Sequence, residues 1–418
     1  MTDTRDPTIT TDEDDSGGTQ APRTETEREA AERAGLWLGQ RSYRWLSVPV
    51  VVLTLLFLVA IPVAAALPSS LFAEKLNRRL GVEQAAPYAR TPASALPVDE
   101  RVKVGDLGDA AEQFPPEGDI YFVTVMHPQQ SVLSWLVGKD EPAIEFLTKE
   151  DVFGFRTPSQ RRTLDLASMR SSEQVAQYVA LQRIGYDVSL VLGEVLIEDI
   201  VCLVPNAEGT DCETWSPSDA VLDPGDKILA VDGEPIATTD DLTAVLEGKS
   251  PGDVVSMHIE RPDAGQLDVE VELTAAPDEP DRTIVGFYPF DTATVDLPFE
   301  LSIDTESIGG PSAGLAFTLT LIDELTEGEL TGGGEIAVTG TIQLDGTVGP
   351  IGGLRQKASA VAQMGVDVFI VPAAQGEEDI AAARDAVGGD VEIIPVNTLD
   401  EALAALAAIG GDPIPEAG

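Results

Sequence analysis

A chain of 418 residues with 43% hydrophobic content is long enough for several compact domains and apolar enough to fill their cores, which excludes a wholly disordered protein. Its 72 Asp and Glu against 26 Lys and Arg give a net charge of -46, which argues against nucleic acid as a partner because phosphate neutralisation needs clustered basic side chains. Such acidity suits a salty medium, where the screening length shortens to about 3 Å near 1 M salt, as well as it suits a generally acidic surface.

Residues 1–44 are expected to be an acidic cytoplasmic leader: Thr/Asp-rich with almost nothing apolar and so disordered to about Pro22, then a charged helical pattern from Thr24 to Leu38. Residues 45–67 read as a transmembrane helix, because Leu46 to Leu67 carries no charge and is long enough to cross about 30 Å of hydrocarbon. Tyr43 and Trp45 stand where interfacial aromatics belong. Arg41 and Arg44 precede the span and Lys75, Arg78 and Arg79 follow it, a bias too weak to orient the helix by itself; the N-terminus is expected inside because a Cys202–Cys212 disulfide would place the C-terminal part outside. Ala64-Ala65-Ala66 resembles a signal-peptidase site, an alternative opposed by the long polar leader. Residues 68–118, rich in Pro and Ala with no sustained period, are expected to be a linker. A mixed α/β subdomain is expected over 119–190, with a strand at Asp119–Val125 and a helix from Ser171 to Gly185 that Ser172 caps. His127 has no second ligand near it in sequence and is not read as a metal site.

Residues 191–277 are β-rich, with strands at Glu194–Leu203 and Val254–Glu260 and a short helix at Thr239–Leu246. The run Leu222-Asp223-Pro224-Gly225-Asp226-Lys227-Ile228-Leu229-Ala230-Val231-Asp232-Gly233-Glu234-Pro235-Ile236 resembles a PDZ domain, in which a Pro-Gly-Asp turn feeds a strand and an Asp-Gly hairpin follows. The resemblance implies an extended peptide added as a strand beside the helix. Its groove would be lined by Gly193, Val195 and Ile197 on one side and Leu242 and Leu246 on the other, although the family's carboxylate-binding loop is not clear here. Gly248-Lys249-Ser250 lacks the glycine of a phosphate loop, since Thr243 stands there. Cys202 and Cys212, the only cysteines, either close a small loop as a disulfide or stand as two buried thiols. The disulfide would require an oxidising compartment.

From Asp281 to Gly410 strands and helices alternate, an α/β pattern, and 411–418 is a tail. Strands are expected at Thr283–Phe287, Phe299–Asp304, Glu335–Leu344, Val366–Val371 and Glu392–Val396. Helices are expected at Ser312–Leu325, Leu354–Met364, Glu377–Val387 and Leu399–Ile409. Gly310-Pro311-Ser312-Ala313-Gly314 sets a serine in a tight turn of small residues at a helix mouth, where free N–H groups favour an oxyanion. A serine nucleophile needs a neutral base. No histidine follows His258, no cysteine follows Cys212, and Lys357 is the one lysine after Lys249, so a Ser/Lys pair is the chemistry this region offers.

The stretch from Thr339-Gly340 through Asp345-Gly346 to Gly352-Gly353-Leu354-Arg355-Gln356-Lys357, following Gly-Pro-Ser-Ala-Gly at this distance, resembles the proteolytic domain of Lon peptidases. The resemblance implies Ser312 as nucleophile, Lys357 as general base and Thr339 as the residue that holds the lysine amine. Gly310, Pro311 and Ala313 would form the oxyanion loop. Two positions depart from the family: Gly309 and Thr341 stand where an acid is usual. No Walker motif occurs, so no ATP and no cofactor or metal is expected.

The fold expected is thus an α/β (α+β) Lon proteolytic domain plus a β-rich PDZ-like domain, preceded by one transmembrane helix. That order resembles the membrane-anchored PDZ/Lon-like serine proteases of bacteria. It implies an ATP-independent endopeptidase of the cytoplasmic membrane, its catalytic part outside, acting on protein or peptide substrates and assembling as a homo-oligomeric ring. The alternative is a membrane-tethered PDZ scaffold whose Lon-like domain is inactive or cleaves only its own chain.

Overall fold

The computed structural model describes residues 43–69, 87–105, 107, 112–154, 156–206, 212–262 and 264–414. The leader to residue 42, on which the helix expected at Thr24 to Leu38 falls, the segment 70–86 and the tail beyond 414 lie outside them. Two units are distinct, one ending at Ala66 and one beginning at Leu67. In the first, helix α1 (Tyr43–Ala66) runs unbroken through Pro49 and Pro62, and its apolar side chains from Val48 onward are exposed. At about 1.5 Å per residue it is long and apolar enough to cross a membrane.

The main elements of the second unit are β1 (Tyr88–Pro97), β2 (Val102–Val104), β3 (Asp119–Met126), β4 (Glu145–Leu147), α2 (Pro158–Arg183), β5 (Ser189–Ile200), β6 (Lys227–Val231), α3 (Thr239–Leu246), β7 (Val254–Arg261), β8 (Gly265–Glu272) and β9 (Phe287–Asp296). Then follow β10 (Leu301–Ile303), α4 (Gly314–Leu325), β11 (Glu335–Val338), α5 (Leu354–Met364), β12 (Val368–Pro372), α6 (Glu377–Val387), β13 (Glu392–Val396) and α7 (Leu399–Ala408). The first sheet has the order β13-β12-β11-β3-β1-β4. β3, β11, β12 and β13 are parallel neighbours, with Ile336 opposite both Ile120 and Val368, while β1 is antiparallel to β3 and β4. Parallel strands need cover on both faces. One face packs Phe122 and Ile336 against α4 and α7, and the other packs Val123 and Phe369 against α5 and α6. Every residue of α4 is buried, including the polar Thr318, Thr320, Asp323 and Glu324, so the helix is covered on all sides.

Two of the expected segments are redrawn. The expected linker 68–118 contains β1 and β2, and the expected separate subdomain 119–190 supplies β3, β4 and α2 to the same layered domain as residues 301–408. Pro92 and Pro97 hid β1: proline weakens a strand reading, and the strand accommodates Pro92 beside a register shift between Pro92 and Ala95. α2 begins at Pro158, well before Ser171, because Thr157 and Gln160 form a capping box around a proline in the first turn. Ser172 is therefore not a cap but a buried residue of the helix interior.

The second sheet, β8-β7-β6-β5-β9, wraps the core of Val195, Ile197, Ile228, Met257 and Ile259. The Asp223-Pro-Gly-Asp226 turn is held by Arg261, whose Nε and Nη2 donate to the two carboxylate oxygens of the fully buried Asp226 at 2.8 and 2.6 Å. β9 belongs to this sheet, so the module does not end at 277. Its strands β5 and β9 pair from Ile200↔Phe287 to Ser189↔Asp296, and the module is inserted within the first domain.

Candidate active site

Gly310 adopts φ +93°, a conformation that favours glycine, and lets the chain turn sharply into Pro311 and Ser312 ahead of α4. The helix starts at Gly314 instead of the expected Ser312, leaving Ser312 half-buried in the turn. Lys357 sits in the first turn of α5, whose entry is the left-handed Gly353 at φ +71°. Its side chain is only 2% exposed. Nζ of Lys357 lies 2.8 Å from Ser312 Oγ and 2.9 Å from Thr339 Oγ1.

Thr339 follows β11 directly and is 1% exposed. Its hydroxyl donates to the Ser312 carbonyl at 3.1 Å, and the Gly340 N–H donates to that same carbonyl at 2.9 Å. These bonds close a ring. The lysine amine donates to Thr339 Oγ1, Thr339 donates to the serine carbonyl, and the lone pair of a neutral amine is left for the serine hydroxyl proton. Burial depresses the Lys357 pKa from 10.5 to about 7, so a large neutral fraction exists at physiological pH. Desolvation is the physical cause.

Of the expected oxyanion loop, Pro311 has no N–H and Gly310 spends its own on the Asp165 carbonyl at 2.7 Å. The N–H groups of Ser312 and Ala313 have no hydrogen-bond acceptor among the described residues. Two contributors from α2 were missed in the sequence, Asp165 and Ser172; the latter donates through Oγ to the Pro311 carbonyl at 3.1 Å. A polar residue in a helix interior, more than a hundred positions from the serine, carries no local signal. The departure at Gly309 has a steric reason: a Cβ there would lie 2.7 Å from Asp165 Cβ. No group of three or more His, Cys, Asp or Glu side chains among the described residues is placed to hold a metal.

The expected peptide groove is corrected. Val195 and Ile197 point into the module core, Leu242 is buried with them and Leu246 packs against them. Gly193 lies within β5, opposite Thr292 of β9. β5 is paired on one edge with β6 and on the other with β9, so the strand that a peptide would add is already there. Asp291 of β9 accepts from Thr239 N and Thr239 Oγ1, at 2.7 and 2.8 Å, and so occupies the N-terminus of α3. Cys202 and Cys212 are joined as a disulfide across a short hairpin.

The model of the Lon protease (S16) C-terminal proteolytic domain matches residues 305–408, and that of the PDZ domain matches residues 203–273. The chain is similar to the Lon protease of Metamycoplasma arthritidis, 32% identical over 116 residues, which cover 28% of this chain and 14% of that protein. It is similar to that of Vibrio parahaemolyticus, 38% identical over 94 residues, covering 22% of this chain and 12% of that protein. Against the Lon protease of Azospirillum brasilense the figures are 39% over 94 residues, 22% and 11%. The match therefore spans 14% or less of the length of these relatives. Among solved structures, the PDZ domain of an SdrC-like protein from Listeria monocytogenes matches at 19% identity, covering 24% of this chain and 90% of that one, with a TM-score of 0.18.

Proposed function

We propose, for a chain that carries a Lon-type serine-peptidase (S16) domain and a PDZ domain, an ATP-independent endopeptidase anchored in the cytoplasmic membrane by α1 with its catalytic domain on the outer side. The carrying observation is the buried Lys357 amine placed 2.8 Å from Ser312 Oγ and 2.9 Å from Thr339 Oγ1. In this reading Ser312 Oγ attacks the scissile carbonyl carbon while Lys357 Nζ takes the hydroxyl proton. The tetrahedral oxyanion collapses, the C–N bond breaks, and the lysine ammonium passes its proton to the leaving amine. Water then attacks the Ser312 ester, with the amine again as base, and returns the free enzyme. Thr339 orients the amine throughout. The substrates are protein or peptide chains in extended form, and homo-oligomeric ring assembly is part of the proposal. The Cys202–Cys212 disulfide supports the outer-face placement, since such bonds persist in oxidising compartments.

The test is hydrolysis of an unfolded protein without ATP by the full chain in detergent, alongside Ser312→Ala and Lys357→Ala. Turnover by the parent that both substitutions abolish is expected. Persistence of turnover in either variant removes the dyad, and no turnover in the parent leaves the binding-scaffold reading. Protease protection of intact cells would report the side on which the catalytic domain lies.

A further inference from the structure

Helix α2 reaches the nucleophile turn at two points. Asp165 offers its backbone carbonyl to Gly310 N–H at 2.7 Å, and two turns further along the same face Ser172 Oγ donates to the Pro311 carbonyl at 3.1 Å. Ser172 is 6% exposed, and it is packed so closely that a Cβ on Gly314 would lie 2.7 Å from its Oγ. A serine in a helix interior commonly returns its hydroxyl to the carbonyl four residues back. Here it is spent on another element.

The accepting carbonyl belongs to the peptide unit that carries the Ser312 N–H. A trans peptide is planar, with C=O and N–H pointing in opposite directions. A bond that draws the Pro311 oxygen toward α2 therefore turns the Ser312 N–H away from α2, and that N–H donates to no protein group among the described residues. Gly314 N–H supports the same carbonyl at 3.3 Å, so the plane is held from two sides. In acyl-transfer sites the nucleophile's own N–H is a recurrent donor to the tetrahedral oxyanion.

We infer that Ser172 is a positioning residue: it fixes the Pro311–Ser312 peptide plane so that the Ser312 N–H is free to receive the oxyanion. The inference rests on the peptidase reading above. It assigns a catalytic task to a helix that lies outside the residues matched by the proteolytic-domain model, 305–408.

The test compares Ser172→Val, Ser172→Thr and Ser172→Ala in the full chain. Valine and threonine share a shape and differ in the hydroxyl. Folding is checked by the thermal midpoint, turnover by kcat and KM on a fluorogenic peptide, and the oxyanion site by inhibition with a peptide aldehyde, whose hemiacetal carries the oxyanion without cleavage. Val and Ala are expected to lower kcat by about 10-fold or more and to weaken the aldehyde to a similar degree, with KM little changed and Thr recovering most of both. Equal kcat in the Val and Thr variants, a loss confined to KM, or unchanged aldehyde affinity in Val and Ala would overturn it. So would Val and Ala variants that unfold while Thr stays folded, for then the hydroxyl is a structural group. Parent turnover and its loss in Ser312→Ala judge the peptidase reading; only the order among the residue-172 variants judges this one.

Discussion

At the scale of single residues the site turns on a lysine that water does not reach. A base with a pKa of about 7 acts only when deprotonated, so kcat/KM should rise through pH 7 and level off above it. A profile flat from pH 5 to 9 would be incompatible with Lys357 as the base. Stability carries the same signature with the sign fixed by proton counting. Between about 7 and 10.5 the unfolded chain holds the lysine proton and the folded chain does not, so stability grows with pH across that window. Below it the buried cation costs the folded state in full. Lys357→Met should therefore be inactive yet melt higher at pH 6, by on the order of 5 °C, with the gain fading toward pH 10. Thr339→Val removes the acceptor that directs the amine and should lower kcat on the order of 10- to 100-fold, with Thr339→Ser close to the parent; equal rates for Val and Ser would remove its orienting role. Ser312, Lys357 and Thr339 were legible because a glycine-bounded turn and the Thr-Gly to Gly-Gly-Leu-Arg-Gln-Lys run are local signals. Asp165 and Ser172 were not, because their meaning lies in contacts with a turn more than a hundred positions away.

Elements with clear punctuation were read well. α5 and α6 begin and end as expected because Gly365 and Gly388 adopt the left-handed conformation at their C-termini. Strands were read less well, since a strand is defined by partners that the local sequence does not name. The last turn of α4 illustrates what pattern alone omits: Asp323 is buried there beside Glu324 and Glu329, with the Leu330 N–H on its Oδ1 at 2.8 Å. Burial, ahead of those neighbouring charges, raises its pKa from 3.8 to about 7. The folded chain then keeps a proton that the unfolded chain releases, and stability falls as pH rises from about 4 through 7. Asp323→Asn keeps the acceptor without the charge, so its gain in thermal midpoint should be larger at pH 8 than at pH 5; equal gains would contradict the titration. For β9, Asp291→Ala frees Thr239 N and Oγ1 and should speed amide exchange in β9 and the facing part of β5 by about 5-fold, measured by mass spectrometry. Unchanged exchange would mean that the strand is held by its ladder alone.

For the whole molecule, a net charge of -46 sets a self-repulsion that salt should relieve. Raising NaCl from about 0.05 to about 1 M is expected to raise the thermal midpoint by several degrees, and a flat or falling midpoint would show that acidity is not limiting. The class of fold was readable from alternation of strands and helices, whereas the nesting of one domain inside the other was not. Nesting depends on β3 lying against β11 across the whole intervening module. The pairing of Ser189 with Asp296 bears on how such a chain assembles. Both ends of the inserted module leave it side by side, so once the module has folded, its long detour becomes equivalent to a hairpin turn. The entropy of bringing α2 to the serine turn, which grows with the logarithm of the intervening length, then falls to that of a short loop. An inner domain that folds first would thus act as a clasp and lower the entropic cost of closing the outer layers over it.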